Sequence, residues 1–351
     1  GVGHHIRYAA YGGKVKELCR GLKCQPCWPT WPCKSYAKCL EFAADEIVQA
    51  ANDMLGQLER KILIVAKGFA EGEGGAEKSI AAITRRLPWK VELVPVADLP
   101  KQTERAEVAV VSSNCARGYL PPANYRIQYI QDVRFACREW HKWDAIIGNS
   151  EWTAQWAKDH GCTLPVYVQR PVIERIVLPE RKPEYVFFAK RAPEKGEALL
   201  YALAKAMPDV KFKTVDYETK RPRVEGNVLV IPYERDMVRL WQDVAASVNV
   251  CFPSNEPCPW TETYCRAAAE SLGLGIPAVV NSQGNLPNFA KWCPEGTVLV
   301  EKGEWDGDLS LWKKAIEKAM QLRFEPWADA WSEDVSGYAG AIERGLQCLK
   351  R

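Results

Sequence analysis

The chain has 351 residues, 47% of them hydrophobic and 26% charged, with a formal net charge of +3. That is enough for two domains of ordinary globular composition, and the charge makes no demand for a nucleic-acid partner. No run of eighteen apolar residues occurs, so a membrane-spanning helix is not expected. The first residue is Gly1 and no secretory-signal pattern follows it. We therefore expect a processed product or part of a longer polypeptide, working in the cytoplasm.

Five of the thirteen cysteines fall between positions 19 and 39. Cys24 and Cys27 have the spacing of a metal knuckle, and Cys33 and Cys39 bring the thiolates to four, a set suited to a structural zinc. An iron–sulfur cluster is a second reading, and a disulfide-bonded or buried cysteine loop stiffened by Pro26, Pro29 and Pro32 is a third. Residues 41 to 58 carry apolar positions at helical spacing, so 1–60 reads as a cysteine-rich segment plus a helix. Of the fourteen tryptophans, Trp28, Trp31, Trp140, Trp143, Trp152 and Trp156 cluster in two places and are expected to line a surface.

Residues 61–171 read as an α/β domain. Ile62 to Ala66 is a buried strand, the glycine-rich turn from Gly68 to Gly75 follows, and Ala76 to Arg86 is a helix. Strand, glycine turn and helix N-terminus together suit a phosphate, although the spacing is not a dinucleotide fingerprint. Val91–Pro95, Val108–Val111 and Ile127–Asp132 are further strands, the last ending in the polar pair Gln131-Asp132. Ala145–Gly148 is another, after which Ser150 caps a helix opening at Glu151. Residues 166–172 read as the crossover to a second domain, 172–325.

That domain starts with a strand, Glu184–Ala189, and the basic turn 190–196, which holds Arg191 and Lys195. The helix Glu197–Met207 follows, then strands at 210–215 and 228–231, a helix over 234–246 and a strand over 248–254. The lysine- and arginine-rich stretch 211–223 reads as solvated surface. In 257–288, Glu262 and Glu270 stand eight positions apart, which brings both near one azimuth if a helix joins them. We place Glu262 at or before the first turn, where a carboxylate suits the positive end of the helix dipole. Gly273 to Pro277 stops the helix, Ala278–Val280 is a buried strand, and Gly284-Asn285-Leu286-Pro287 is a loop. Cys251, Cys258 and Cys265 read as buried thiols. Residues 309–322 and 327–349 are helical.

This second half resembles the retaining glycosyltransferases of family 4. The likeness rests on Glu262-x7-Glu270, on Gly275-Ile276-Pro277-Ala278-Val279-Val280, on Gly284-Asn285-Leu286-Pro287 with Asn for one Gly, and on Arg191 and Lys195 in the turn 190–196. It extends to the glycine turn at Gly74-Gly75 and to the Asn149-Ser150 turn, and covers about residues 61–300. It implies a GT-B fold, two Rossmann-like α/β domains facing a cleft with 326–351 packing back on the first, a nucleotide-sugar as co-substrate and no catalytic metal. By the same resemblance Glu270 holds the ribose, and Glu262 faces the sugar and the charge at its anomeric carbon. Arg191 and Lys195 hold the diphosphate. Gly74, Gly75, Gln283, Gly284, Asn285 and Leu286 surround the donor. Asp132 belongs to the acceptor cleft, although Gln131 stands where the family has His. The cysteine segment is also similar to the C-terminal tail of heptosyltransferase-like family 9 enzymes, through Cys24-x2-Cys27-Trp28, Cys33 and Cys39-Leu40. The expected activity is hexosyl transfer with retention to an unidentified hydroxyl, on a glycan or on modified phage DNA. The competing expectation is a non-catalytic scaffold module of the same fold with the cysteine segment as an interaction domain.

Overall fold

A computed structural model describes residues 4–9, 15–20, 60–67, 75–102, 104–115, 118, 120–252, 261–301 and 306–349. The candidate thiolates Cys24, Cys27, Cys33 and Cys39, with Trp28, Trp31, the helix expected over 41–58, Gly74 and Cys258, lie outside the described residues. The chain divides into two compact units, residues 1–62 with 88–91, and residues 63–87 with 92–351. In the first, strands β1 (His4–Ala9) and β2 (Val15–Arg20) pair antiparallel, His4 opposite Arg20.

The second unit holds two sheets. The order in one is β4 (Val91–Pro95), β3 (Ile62–Ala66), β5 (Ala106–Ser112), β6 (Ala123–Ile130), β7 (Ala145–Gly148), β8 (Val166–Val168). From β5 to β8 each neighbouring pair is parallel. Strands such as Ile62–Ala66 and Ala145–Gly148 are buried along their whole length, which is why they read as unbroken apolar runs and not as alternating ones. Helices α1 (Gly75–Thr84) and α2 (Glu151–Asp159) belong to this half. Trp143 is buried, and the half-buried Trp140, Trp152 and Trp156 pack against the same apolar core, so this tryptophan cluster contributes to the packing of the domain.

The other sheet runs β11 (Arg223–Glu225), β12 (Val228–Ile231), β10 (Lys211–Val215), β9 (Tyr185–Phe188), β13 (Val244–Asn249), β14 (Ala278–Asn281), β15 (Thr297–Val300). All pairs are parallel except the short edge strand β11 on β12. Setting β11 aside, the strands lie in the order 3-2-1-4-5-6 of a dinucleotide-binding sheet, and the order reverses between β9 and β13. Helices α3 (Glu197–Ala206), α4 (Met237–Trp241), α5 (Arg266–Gly273), α6 (Leu286–Trp292) and α7 (Ser310–Gln321) flank it. Leu199, Leu203, Phe212, Val248 and Trp312 share one core on one face, and Tyr264, Leu272, Val280 and Phe289 share another.

Four expectations change. The helix expected over 234–246 is only Met237–Trp241, capped by Asp236, whose carboxylate accepts from the N–H groups of Val238 and Arg239. Val244 to Asn249 is instead a central strand, because the buried slot beside β9 overrides the helix propensity of Ala245-Ala246. The Gly284–Pro287 loop runs straight into α6, with Pro287 in the first turn, where its missing N–H costs nothing. The tail breaks into a short 3-10 turn (Ala328–Trp331) and α8 (Ser336–Cys348). Nor is the basic stretch 211–223 all surface. Lys213 is buried, its ammonium donating to Asp243 at 2.6 Å and to the Leu240 carbonyl at 2.9 Å.

Helix α8 lies against β5, β6, β7 and β8 of the first sheet. Tyr338 meets Tyr129 edge-on at 5.4 Å, and its N–H donates to Gln169 Oε1 at 3.1 Å. The contact is so close at Gly337 that a Cβ there would stand 1.8 Å from the Val168 carbonyl oxygen. Gly337→Ala is therefore expected to lower stability by about 1–3 kcal/mol, the usual cost of overpacking. A chemical-denaturation curve of the variant, with unchanged slope and an earlier midpoint, checks this.

Candidate active site

The carboxyl ends of the two sheets face a shared cavity of about 360 Å³. Gly75, Ala76, Lys78 and Ser79 reach it from the start of α1, Gln131 from the end of β6, and Asn149 from the end of β7. Across from them stand Ala189 and Lys190 after β9, Val215 and Tyr217 from β10, Tyr233 after β12, Val248 to Val250 from β13, and Glu262 to Ala267. The cavity therefore opens at the strand-order reversal between β9 and β13, where open α/β sheets bind their ligands.

A hydrogen-bonded knot joins the two halves at Thr263. Its hydroxyl donates to the Gln131 carbonyl at 2.6 Å and accepts from Asn149 Nδ2 at 2.9 Å. Ser150 Oγ donates to the Thr263 carbonyl at 2.6 Å while accepting the Thr153 N–H at 3.1 Å. So Ser150 is the expected helix cap and a cross-cleft fastener at once. All three polar partners are buried, where hydrogen bonds are strong and orphaned groups are costly.

Glu262 precedes Thr263 and lies four residues before α5, which starts at Arg266. Its carbonyl accepts the Asn285 N–H at 2.9 Å. A Cβ on Gly284 would stand 2.3 Å from that carbonyl oxygen, and Gly284 has φ +57, so a glycine is required twice over. Cys265 turns the chain into α5 at φ +77, a left-handed conformation unusual for a residue with a side chain. Its thiol is buried, and burial raises its pKa. Cys251, also buried, is pushed up to about 12 by burial and the Glu262 charge.

The Glu262 carboxylate forms an ion pair with Lys195. Burial disfavours the ammonium, but the charge of Glu262 and its hydrogen bond outweigh this and hold Lys195 above the ordinary lysine range. Glu270 also lines the cavity, its carboxylate accepting from Arg266 Nη2 at 3.3 Å. Four cations (Lys78, Lys190, Lys195, Arg266) and three carboxylates (Glu234, Glu262, Glu270) line the cavity, a balance that favours an anion. Lys78 lies over the Tyr233 ring at 5.4 Å and Lys190 over Tyr217 at 5.5 Å, and the two rings stack 4.9 Å apart.

The structure thus gathers Glu262, Lys195, Glu270 and Gly75 from the residues singled out in the sequence. It does not bring the other described ones to the cavity wall. Arg191 donates from Nε to Glu197 at 2.7 Å and lies 3.4 Å from Asp216 and 3.6 Å from Glu225, three carboxylates outside the lining. Asp132 pairs with Arg134 at 2.9 Å, and it is Gln131 that faces the cavity. Gln283, Gly284, Asn285 and Leu286 are not among the residues lining the cavity: the Asn285 N–H is taken by the Glu262 carbonyl, and Leu286 is buried. Sequence reasoning missed Lys78, Lys190, Tyr217, Tyr233, Thr263 and Arg266. Only Arg266 carried a local signal, its i,i+4 spacing to Glu270. Among the described residues, no three His, Cys, Asp or Glu side chains converge as metal ligands would, and no helix is long and apolar enough to cross a membrane.

Glu262→Gln removes the carboxylate paired with Lys195. We expect a loss on the order of 2–3 kcal/mol and a fall in the Lys195 pKa, because the main charge opposing burial is gone. A group whose folded pKa is raised contributes its stability below its unfolded value, about 10.4 for lysine, and loses it as pH rises through the folded value. The stability gap between wild type and variant should therefore be widest below the variant's lowered Lys195 pKa, narrow as pH rises through it, and be smallest above the raised wild-type value. Denaturation midpoints taken across that range check this.

No family model matches the chain, and no curated protein matches it. Among solved structures it is similar to HepE of Anabaena in complex with UDP and glucose, at 14% identity and a TM-score of 0.60, over 82% of this chain and 100% of that one. It is similar to AviGT4, a glycosyltransferase involved in avilamycin A biosynthesis, at 16% identity and a TM-score of 0.53, over 83% and 97% of the two chains. The sucrose-phosphate synthase of Thermosynechococcus elongatus aligns at 12% identity and a TM-score of 0.55, over 83% and 99%. At these identities the likeness is one of fold. The chain has the GT-B fold, two Rossmann-like sheets facing a cleft.

Proposed function

We propose that the chain is a glycosyltransferase that takes a sugar from a nucleotide-sugar and passes it to an acceptor hydroxyl. The observation that carries this reading is the convergence of Lys195, Glu262 and Glu270 on one cation-rich cavity at the strand-order reversal of a GT-B fold. Fold neighbours support it: one was solved with UDP and glucose, and others are a glycosyltransferase of avilamycin A biosynthesis and a galactosyltransferase.

In this reading Glu270 accepts from the ribose hydroxyls of the donor. The ammonium of Lys195 stands where the diphosphate gains charge as the glycosidic bond breaks, and a fixed cation in a sheltered cavity stabilises that charge. Glu262 keeps Lys195 charged and lends its own carboxylate to the positive charge growing at the anomeric carbon. The leaving phosphate takes the proton of the incoming hydroxyl on the same face, which gives retention and calls for no separate base. Lysine and arginine supply the neutralising charge that this chemistry needs without a metal ion.

The test is a melting-temperature screen of the whole chain against UDP, GDP, ADP and CDP. A ligand at about a hundred times its Kd stabilises the native state by about 2.7 kcal/mol. One nucleotide should raise the melting temperature by several degrees, and Glu270→Ala should abolish the rise. No rise with any of the four, or an equal rise in the variant, counts against the donor site and returns the chain to the scaffold reading.

A further inference from the structure

We infer that Arg266 is the guanidinium that grips the donor's diphosphate, the part that motif comparison assigns to Arg191. The inference rests on the donor reading above and adds a residue to it.

Arg191 is already neutralised. Glu197, Asp216 and Glu225 surround its guanidinium, and it does not reach the cavity wall. To meet a phosphate it would have to leave three carboxylates and expose them to the incoming anion. Arg266 is in the opposite situation. It lines the cavity at the start of α5, with its side chain 20% exposed, enough to meet a ligand and sheltered enough to be held in place. Nη1 donates to Ser79 Oγ at 2.9 Å and to the Val172 carbonyl at 3.2 Å, and Nη2 donates to Glu270 at 3.3 Å. A guanidinium has five N–H donors, so two remain, on Nε and Nη2. A phosphate takes two such N–H groups side by side, a geometry that lysine cannot offer.

The surroundings point to the same ligand. A Cβ on Gly75 would stand 2.9 Å from Arg266 Cδ, so the first residue of α1 clears the path along which the arginine enters. The guanidinium thus lies beside the positive end of a ten-residue helix, with the Lys195 ammonium on the same cavity. Lys195 and Arg266 each have one carboxylate beside them, Glu262 and Glu270, and with Lys78 and Lys190 on the same wall the cavity keeps an excess of positive charge for an anion.

Binding measurements separate a phosphate contact from a positioning role for Glu270. Calorimetric titration of the whole chain with UDP, GDP, ADP and CDP, and with the four matching nucleosides, gives a diphosphate-to-nucleoside affinity ratio. In Arg266→Gln the diphosphate affinity should fall about tenfold or more while the nucleoside affinity changes little. In Arg266→Lys, which keeps the charge and not the fork, the ratio should fall part of the way. Should Arg266→Gln fail to fold, as read from its melting curve, the lysine variant carries the test alone. Loss of diphosphate and nucleoside affinity together would make Arg266 a positioning residue for Glu270 and overturn the inference while leaving the donor site intact. Full diphosphate affinity in Arg266→Gln, with the loss appearing in Arg191→Gln instead, would overturn it too. If the wild-type chain binds none of the diphosphates, the donor reading fails and this inference fails with it.

Discussion

The site depends on the knot at Thr263. Two parallel sheets meeting at their carboxyl ends leave a cleft whose width nothing in either sheet sets. The Thr263 hydroxyl, taken between the Gln131 carbonyl and the Asn149 amide, and the Thr263 carbonyl, held by Ser150, set it here. Each of these groups is buried, so slipping one position would orphan several polar atoms at roughly 1–3 kcal/mol each. Glu262 is the next residue, and its backbone is pinned from the other side by Asn285 and by the bare face of Gly284. The carboxylate that meets Lys195 is thus positioned by contacts that share no chemistry with it.

The electrostatic design follows from that placement. Burial alone would push Lys195 toward its neutral form, and Glu262 keeps it charged. Glu270 is in turn held by Arg266. Each of these two carboxylates comes with its own cation, while Lys78 and Lys190 rest on tyrosine rings. The result is a cavity whose positive charges are fixed before any ligand arrives, the condition under which charge stabilisation needs no reorganisation.

Much of this was legible in the sequence, and the reason differs from element to element. Buried parallel strands announce themselves as short apolar runs, so Ile62–Ala66 and Ala278–Val280 were found within a residue. Ser150 as a cap, and Gly273 to Pro277 as a helix stop, are local chemistry. Glu262, Lys195 and Glu270 were legible because motif spacing fixes them on one side of one sheet. Val244 to Ala246 misled because local propensity favours a helix and only the slot beside β9 makes a strand of it. Arg191 was placed by its turn, but its three carboxylate partners come from three other elements. Thr263 had no local signal at all, since its partners lie 113 to 132 positions away.

The central claim is that this cavity is a nucleoside-diphosphate site organised by Lys195, Glu262 and Glu270. A crystal structure of the chain grown with a nucleoside diphosphate at saturating concentration tests it most directly. The account predicts ribose hydroxyls on the Glu270 carboxylate and phosphate oxygens against Lys195, with the Thr263 knot unbroken. A nucleotide bound elsewhere on the chain, with this cavity empty and the Lys195–Glu262 pair untouched, would contradict it.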